Sequence, residues 1–459
     1  PILVPEGIRT DAVNNYSSSI IIKQSADLQA TYPKGYSAYR STDEAIDGAI
    51  HSFKQSDGVS LQFNSGFSSD DSIYIRTNNG ANWNNWKKLA DIKPEISAKI
   101  FYGMHSRFFI CPLMVFIILS VTCPFAGWAQ SAFTPGNLVV VSVNSSTAIS
   151  LLEYTNSGSL VQTLALPSSG TTAITLSASA SSEGALSRSE NGVYLGLAGY
   201  RTGTSSSATD RVMARIDASG TYNTLSAIPS SEGFGANNIR GCVFSAAGDR
   251  YWASGTGTGG GIRTNLTGST SGSVQVSTTI ANARTVEIFN GQLYCAAASG
   301  TVQSVATVGT GLPVTTGNTI SVLPGLPTSS GPSAYSFSMS TGTISNGSVL
   351  YVADDRASAL GGIQKWIYTS GSWLLSYTLG TGVSNIGARG LVVDYSGFNS
   401  STSYGAVIYA TSAEASSNRV LKIVDNGAAS TSTTLATAAA STLFKGINFS
   451  PVSNQPPVV

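Results

Sequence analysis

Short runs in which apolar and polar residues alternate fill most of the chain, and a two-residue period is that of half-buried strands. From about residue 130 one pattern recurs: a short apolar strand, a Gly or Asn turn, then a strand ending in small residues. It reads Arg240-Gly-Cys-Val-Phe-Ser with Gly248-Asp-Arg-Tyr-Trp-Ala-Ser254, then Arg284-Thr-Val-Glu-Ile-Phe with Asn290-Gly-Gln-Leu-Tyr-Cys-Ala296. It returns as Tyr335-Ser-Phe with Asn346-Gly-Ser-Val-Leu-Tyr-Val-Ala353, and as Arg389-Gly-Leu-Val-Val-Asp with Ala406-Val-Ile-Tyr-Ala-Thr411. A more worn copy begins at Gly184. The spacing of roughly 45 to 57 residues is that of a four-stranded propeller blade.

The ends of this region fit together. Phe444-Lys-Gly-Ile-Asn-Phe reads as a first strand with nothing after it, and Leu138–Val143, Ile149–Tyr154 and Leu160–Leu164 as later strands with no first strand before them. Joining them closes a ring and hides its edges. The expected fold is all-β: a β-propeller over 130–452 with six blades, or seven if the Gly- and Thr-rich stretch from Gly255 to Ile280 hides strands. Leu350-Tyr-Val-Ala-Asp354 resembles repeats of secreted six-bladed bacterial propellers. Residues 453–459 resemble the opening of an immunoglobulin-like or cadherin-like repeat, so a further domain is expected to follow.

A separate small β domain is expected over 1–98, with strands at Ser60–Phe63, Ser72–Arg76 and Trp83–Leu89 and a hairpin turn at Asn78-Asn79-Gly80. Ala26-Asp-Leu28, Tyr32-Pro-Lys-Gly-Tyr36 and Tyr74-Ile-Arg-Thr-Asn-Asn-Gly80 leading to Trp83-x-x-Trp86-Lys-Lys-Leu89 resemble the pyocin-knob type of module of phage tail fibres, over about residues 25–90. The resemblance implies non-catalytic attachment to a cell surface, as part of a trimeric fibre. Trp83 and Trp86 either stack on sugar rings or pack the small core.

Between the two regions, 99–129 holds a linker and the run Phe108–Val121, preceded by Arg107 and followed by Gly127 and Ala129. A basic start, an apolar stretch and a small-residue exit make a secretory signal peptide, with cleavage expected after Ala129. Counted to Trp128, the same run is long enough to anchor the chain in a membrane through 108–128. Either way, 130–459 is expected to be exported to the cell surface or medium of a bacterium. Because such a signal belongs at a chain's start, either translation begins at Met104 or two genes are joined here.

Charge and chemistry then narrow the function. A net charge of +1 with 11% charged residues offers no general field for nucleic acid. The only histidines are His51 and His105, so histidine-based catalysis and histidine metal sites are excluded from the propeller. Asp354 and Asp355 are adjacent, which suits a turn or a single Ca2+ ligand at Asp354 better than a converging catalytic pair. No other cofactor is suggested. Alignment of the first strands places Arg240, Arg284, Arg389 and Lys445 at one point of four blades, with Glu183 and Ser333 at the other two. Such a ring either grips a carboxylate, sulfate or acidic sugar or fastens blade to blade through backbone carbonyls. Cys242 and Cys295 either form a disulfide or stay as buried thiols. The expected function is therefore non-catalytic binding of a cell-surface glycan or surface protein, with a polysaccharide-acting enzyme or a passive spacer as alternatives.

Overall fold

The computed structural model describes five strands between residues 36 and 88, without their side chains, and residues 131–453 apart from 206, 207, 341 and 342. The chain divides into two compact units, Pro1–Pro124 and Phe125–Val459.

In the first unit the strands Tyr36–Ser41, Gly48–Lys54, Val59–Ser65, Tyr74–Asn79 and Lys87–Lys88 form one antiparallel sheet in sequence order. One detail departs from expectation. Asn78 and Asn79 pair with Ser60 and Val59, so they belong to a strand instead of a two-residue turn. The last strand pairs only as Tyr74 with Lys88 and Ile75 with Lys87. Trp83, Trp86, residues 108–128 and residues 454–459 lie outside the described residues. Among the described residues, no helix is long and apolar enough to cross a membrane.

The second unit is a six-bladed propeller of four-stranded antiparallel sheets. Blades 1 to 5 begin with the inner strands Leu186–Arg188, Ile239–Phe244, Thr285–Phe289, Ala334–Met339 and Ala388–Asp394. Blade 6 is made from both ends of the region: the inner strand Thr442–Phe449 pairs with Leu138–Asn144, followed by Ile149–Tyr154 and Leu160–Ala165. The stretch from Gly255 to Ile280 supplies the outer strands Gly261–Leu266 and Val274–Ser277 of blade 2, so it hides no seventh blade.

The periodicity shows why. Strand residues alternate between two faces, and here both faces meet a neighbouring blade. Val139, Val141 and Val143 pack with Leu195 and Leu197 of blade 1. Leu138 and Val140 pack with Val392 and Tyr409 of blade 5. Likewise Tyr351 and Ala353 face blade 5, while Leu350 and Val352 face blade 3. Six apolar clusters fill the six blade junctions. With both faces buried, the second strands become unbroken apolar runs such as Leu138-Val-Val-Val.

Candidate functional site

The four aligned cations are gathered at one end of the propeller axis by a local irregularity. The register between first and second strands slips between Ile239 and Gly241, Ala334 and Phe337, Ala388 and Leu391, and Phe444 and Ile447. A bulge adds an unpaired residue and re-aims its side chain. Arg240, Arg389 and Lys445 occupy these bulges; Arg284 sits just before its strand.

Each cation then reaches a neighbouring blade. Arg284 Nη1 donates to Ser333 Oγ at 2.8 Å and to the Ala334 carbonyl at 3.0 Å, with its guanidinium 4.2 Å from the centre of the Tyr335 ring. Arg240 Nη1 donates to Asn282 Oδ1 and to the Ala283 carbonyl at 3.5 Å. Lys445 Nζ donates to the carbonyls of Ala180 at 2.6 Å and Ala178 at 3.3 Å. Arg389 turns back to blade 4, donating through Nε to Asp355 Oδ2 at 3.2 Å. Glu183 accepts from Tyr200 Oη at 2.6 Å, from the Ser177 amide at 2.9 Å and from Asn238. Of the four cations, Arg389 alone has an ion-pair partner among the described residues.

A cavity of about 20 Å3 opens between Glu183, Tyr335, Arg389 and Lys445, room for about one water. A sugar ring would stay outside; only a charged tip could enter. Burial, and then the like charge of Arg284, lowers the Arg240 pKa. Burial first, with Arg389 adding to it and Glu183 opposing, lowers Lys445 from 10.5 to about 8. Between these values the unfolded chain holds more protons than the folded one, so this residue makes stability rise with pH across the window. Below pH 8 its charged form costs about 3 kcal/mol. Chemical denaturation of wild type and Lys445→Met at pH 7 and pH 10 is expected to show wild type gaining on the variant as pH rises; a constant difference would contradict the shift.

The remaining candidates separate. Asp354, fully buried, accepts from Arg356 Nε at 2.9 and 3.0 Å, from the Ser333 amide at 3.1 Å and from Gln364 at 3.3 Å. Its oxygens are thus engaged by protein donors, and Asp355 turns away to Arg389. No group of three or more His, Cys, Asp or Glu side chains converges among the described residues. Of the two readings of the cysteines, the disulfide does not form: Cys242 and Cys295 are free and buried. Cys242 faces blade 1 and Cys295 faces blade 2, so the sheet of blade 2 stands between them. Burial raises both thiol pKa values, Cys295 to about 12.

Sequence reasoning overlooked two features. Lys365 and Asp425 form a fully buried ion pair, 2.7 Å apart, between blades 4 and 5. Glu287 lines a second, larger cavity of about 200 Å3 at the other end of the axis. Its only sequence signal is a carboxylate set between the core residues Val286 and Ile288. On the rim, Lys422, Thr433 and Asn156 line an open groove of about 760 Å3 between blades 5 and 6.

No family model matches the chain, and no curated protein matches it. Among solved structures, a protein from Lactobacillus plantarum is similar at 10% identity and TM-score 0.35, over 85% of this chain and 98% of that one. A GH74 enzyme of Niastella koreensis is similar at 15% identity and TM-score 0.31, over 67% of this chain and 46% of that one. A puromycin-hydrolysing peptidase of Mycobacterium tuberculosis is similar at 9% identity and TM-score 0.31, over 84% of this chain and 53% of that one.

Proposed function

We propose that this chain is a non-catalytic surface-binding protein whose propeller recognises an anionic group displayed on a cell-surface glycan or surface protein. One observation carries the reading: four cationic heads sit at one mouth of the axis, fixed by neighbouring blades, and only Arg389 has a carboxylate partner among the described residues. Backbone carbonyls position Arg284 and Lys445 without neutralising them, so the mouth keeps positive charge and its side chains are already oriented for charge-assisted bonds. The 20 Å3 opening matches a protruding carboxylate or sulfate better than a sugar ring. The front sheet would then serve as a fibre-like attachment module, and export would follow from Phe108–Ala129. An exported enzyme acting on polysaccharide is less well supported, because Asp354 and Asp355 diverge and are both engaged by arginines.

The full chain, applied to an array of acidic and neutral glycans, is expected to retain acidic ones. Arg284→Gln/Arg389→Gln should weaken that retention at least about tenfold, the loss of about one charge-assisted contact. Unchanged retention would sink the proposal. Preference for neutral glycans would move the site to the rim groove, and released oligosaccharides would mark an enzyme.

A further inference from the structure

We propose that the opposite end of the axis is a binding site for a small zwitterion, with an alkylated ammonium head and an anionic tail. The cavity there, about 200 Å3, has room on the order of ten waters. It is lined from blades 1, 3, 4, 5 and 6, so it lies on the axis and belongs to no single blade.

Three charged side chains line it: Arg188, Glu287 and Glu190, the last already accepting from the Gly291 amide at 2.8 Å. Val286 and Ile288 turn into the core between blades 2 and 3, which sends Glu287 to the other side of its strand. Among the described residues its carboxylate accepts no hydrogen bond and forms no ion pair, and burial raises its pKa well above the usual carboxylate range. Arg188, at the end of the blade 1 inner strand, lines the same cavity. Its guanidinium donates through Nε to the Gly192 carbonyl at 3.2 Å and has no ion-pair partner among the described residues. Burial lowers its pKa. Desolvation disfavours the charged form of both Glu287 and Arg188, and no ion pair between them offsets it. A lone cation would be repelled by Arg188 and a lone anion by Glu190, whereas an ammonium beside Glu287 would favour its ionised form. A zwitterion meets both.

The walls select the head group. Phe289 and Phe337 both line the cavity, their centroids 5.9 Å apart and their planes inclined at 53°. Aromatic faces attract alkylated ammonium. Two of the polar side chains in the wall are already engaged: Ser338 Oγ takes the Tyr395 hydroxyl at 3.3 Å, and Asn448 Oδ1 the Phe449 amide at 2.9 Å.

The test is calorimetric titration of the full chain with glycine betaine, beside its two halves, tetramethylammonium and acetate. Saturable betaine binding is expected, tighter than either half, and weakened at least about tenfold by Glu287→Gln and by Arg188→Gln. Melting curves of both variants confirm that they fold. Absence of saturable betaine binding to wild type, which requires no variant, overturns the proposal. So does equal affinity in Glu287→Gln. Tetramethylammonium binding as tightly as betaine, with Arg188→Gln unaffected, would leave a simple cation site and overturn the zwitterion. The mouth at the other end of the axis plays no part, so loss of glycan retention leaves this result unchanged.

Discussion

Replacing Lys365 with Met is expected to destabilise the propeller by about 3 to 5 kcal/mol, the usual cost of removing one partner of a buried ion pair. Lys365 Nζ lies 2.7 Å from Asp425 Oδ2 and donates to Tyr377 Oη at 2.9 Å and to the Ser403 carbonyl. Asp425 also accepts from Tyr351 Oη at 2.5 Å and from Tyr377 Oη at 2.7 Å. Burial, and then the hydrogen bond to Asp425, raises both tyrosine pKa values, so these hydroxyls remain donors. Without the ammonium, Asp425 keeps its donors but loses its countercharge, in a junction where both partners are fully buried. Urea unfolding of the full chain reads the loss. The double variant Lys365→Met/Asp425→Leu should recover part of it, since two apolar groups leave no orphaned charge. A single variant as stable as wild type would show that water or another cation supports Asp425.

Gly446→Val should be the most damaging single change at the ring's closure. A Cβ at Gly446 would lie 2.3 Å from the Leu186 amide nitrogen and 2.6 Å from the Gly184 carbonyl oxygen. These are backbone atoms, held by the hydrogen bond from the Gly446 amide to the Gly184 carbonyl at 2.9 Å, so no rotamer change relieves the contact. The inner strand of blade 6 must move away from blade 1, and with it Ile447, which packs at the other junction against blade 5. A loss of several kcal/mol is expected, large against the about 5 to 15 kcal/mol of an ordinary domain. The measurement is soluble yield together with the thermal midpoint of the full-length variant. An unchanged midpoint would mean that the two inner strands do not approach this closely.

These two sites mark where the sequence is informative and where it is silent. The blades are legible because the second strands bury two faces, leaving Leu138-Val-Val-Val and Val349-Leu-Tyr-Val-Ala as unbroken apolar runs between turn residues. Closure from the two ends is legible for the same reason: Phe444–Phe449 is one strand too many at one end of the region, and Leu138–Asn144 lacks a partner at the other. The shared position of Arg240, Arg284, Arg389 and Lys445 is also legible, as a repeated residue type at a repeated offset. What each touches is not, because Ser333, Ala283 and Ala180 come from neighbouring blades. The bulges that aim them leave only a trace, a small residue after the cation at Gly241, Gly390 and Gly446. Lys365 lies within a strand and Asp425 just after one, 60 residues apart, so nothing local reveals the pair. Glu287 reads as an exposed position in an alternating strand. Only the closed ring, which turns the inner edge of each blade towards the axis, places it inside the molecule.

Hydrogen exchange followed by peptide mass spectrometry tests the closed ring most directly, on the unaltered chain. If Thr442–Phe449 is the inner strand of the blade begun by Leu138–Asn144, the amides of both segments exchange together, at the slow rate of the inner strands of blades 2 to 5, through global unfolding. Fast exchange over 442–449, with the other inner strands still protected, would contradict closure and leave an open six-bladed array.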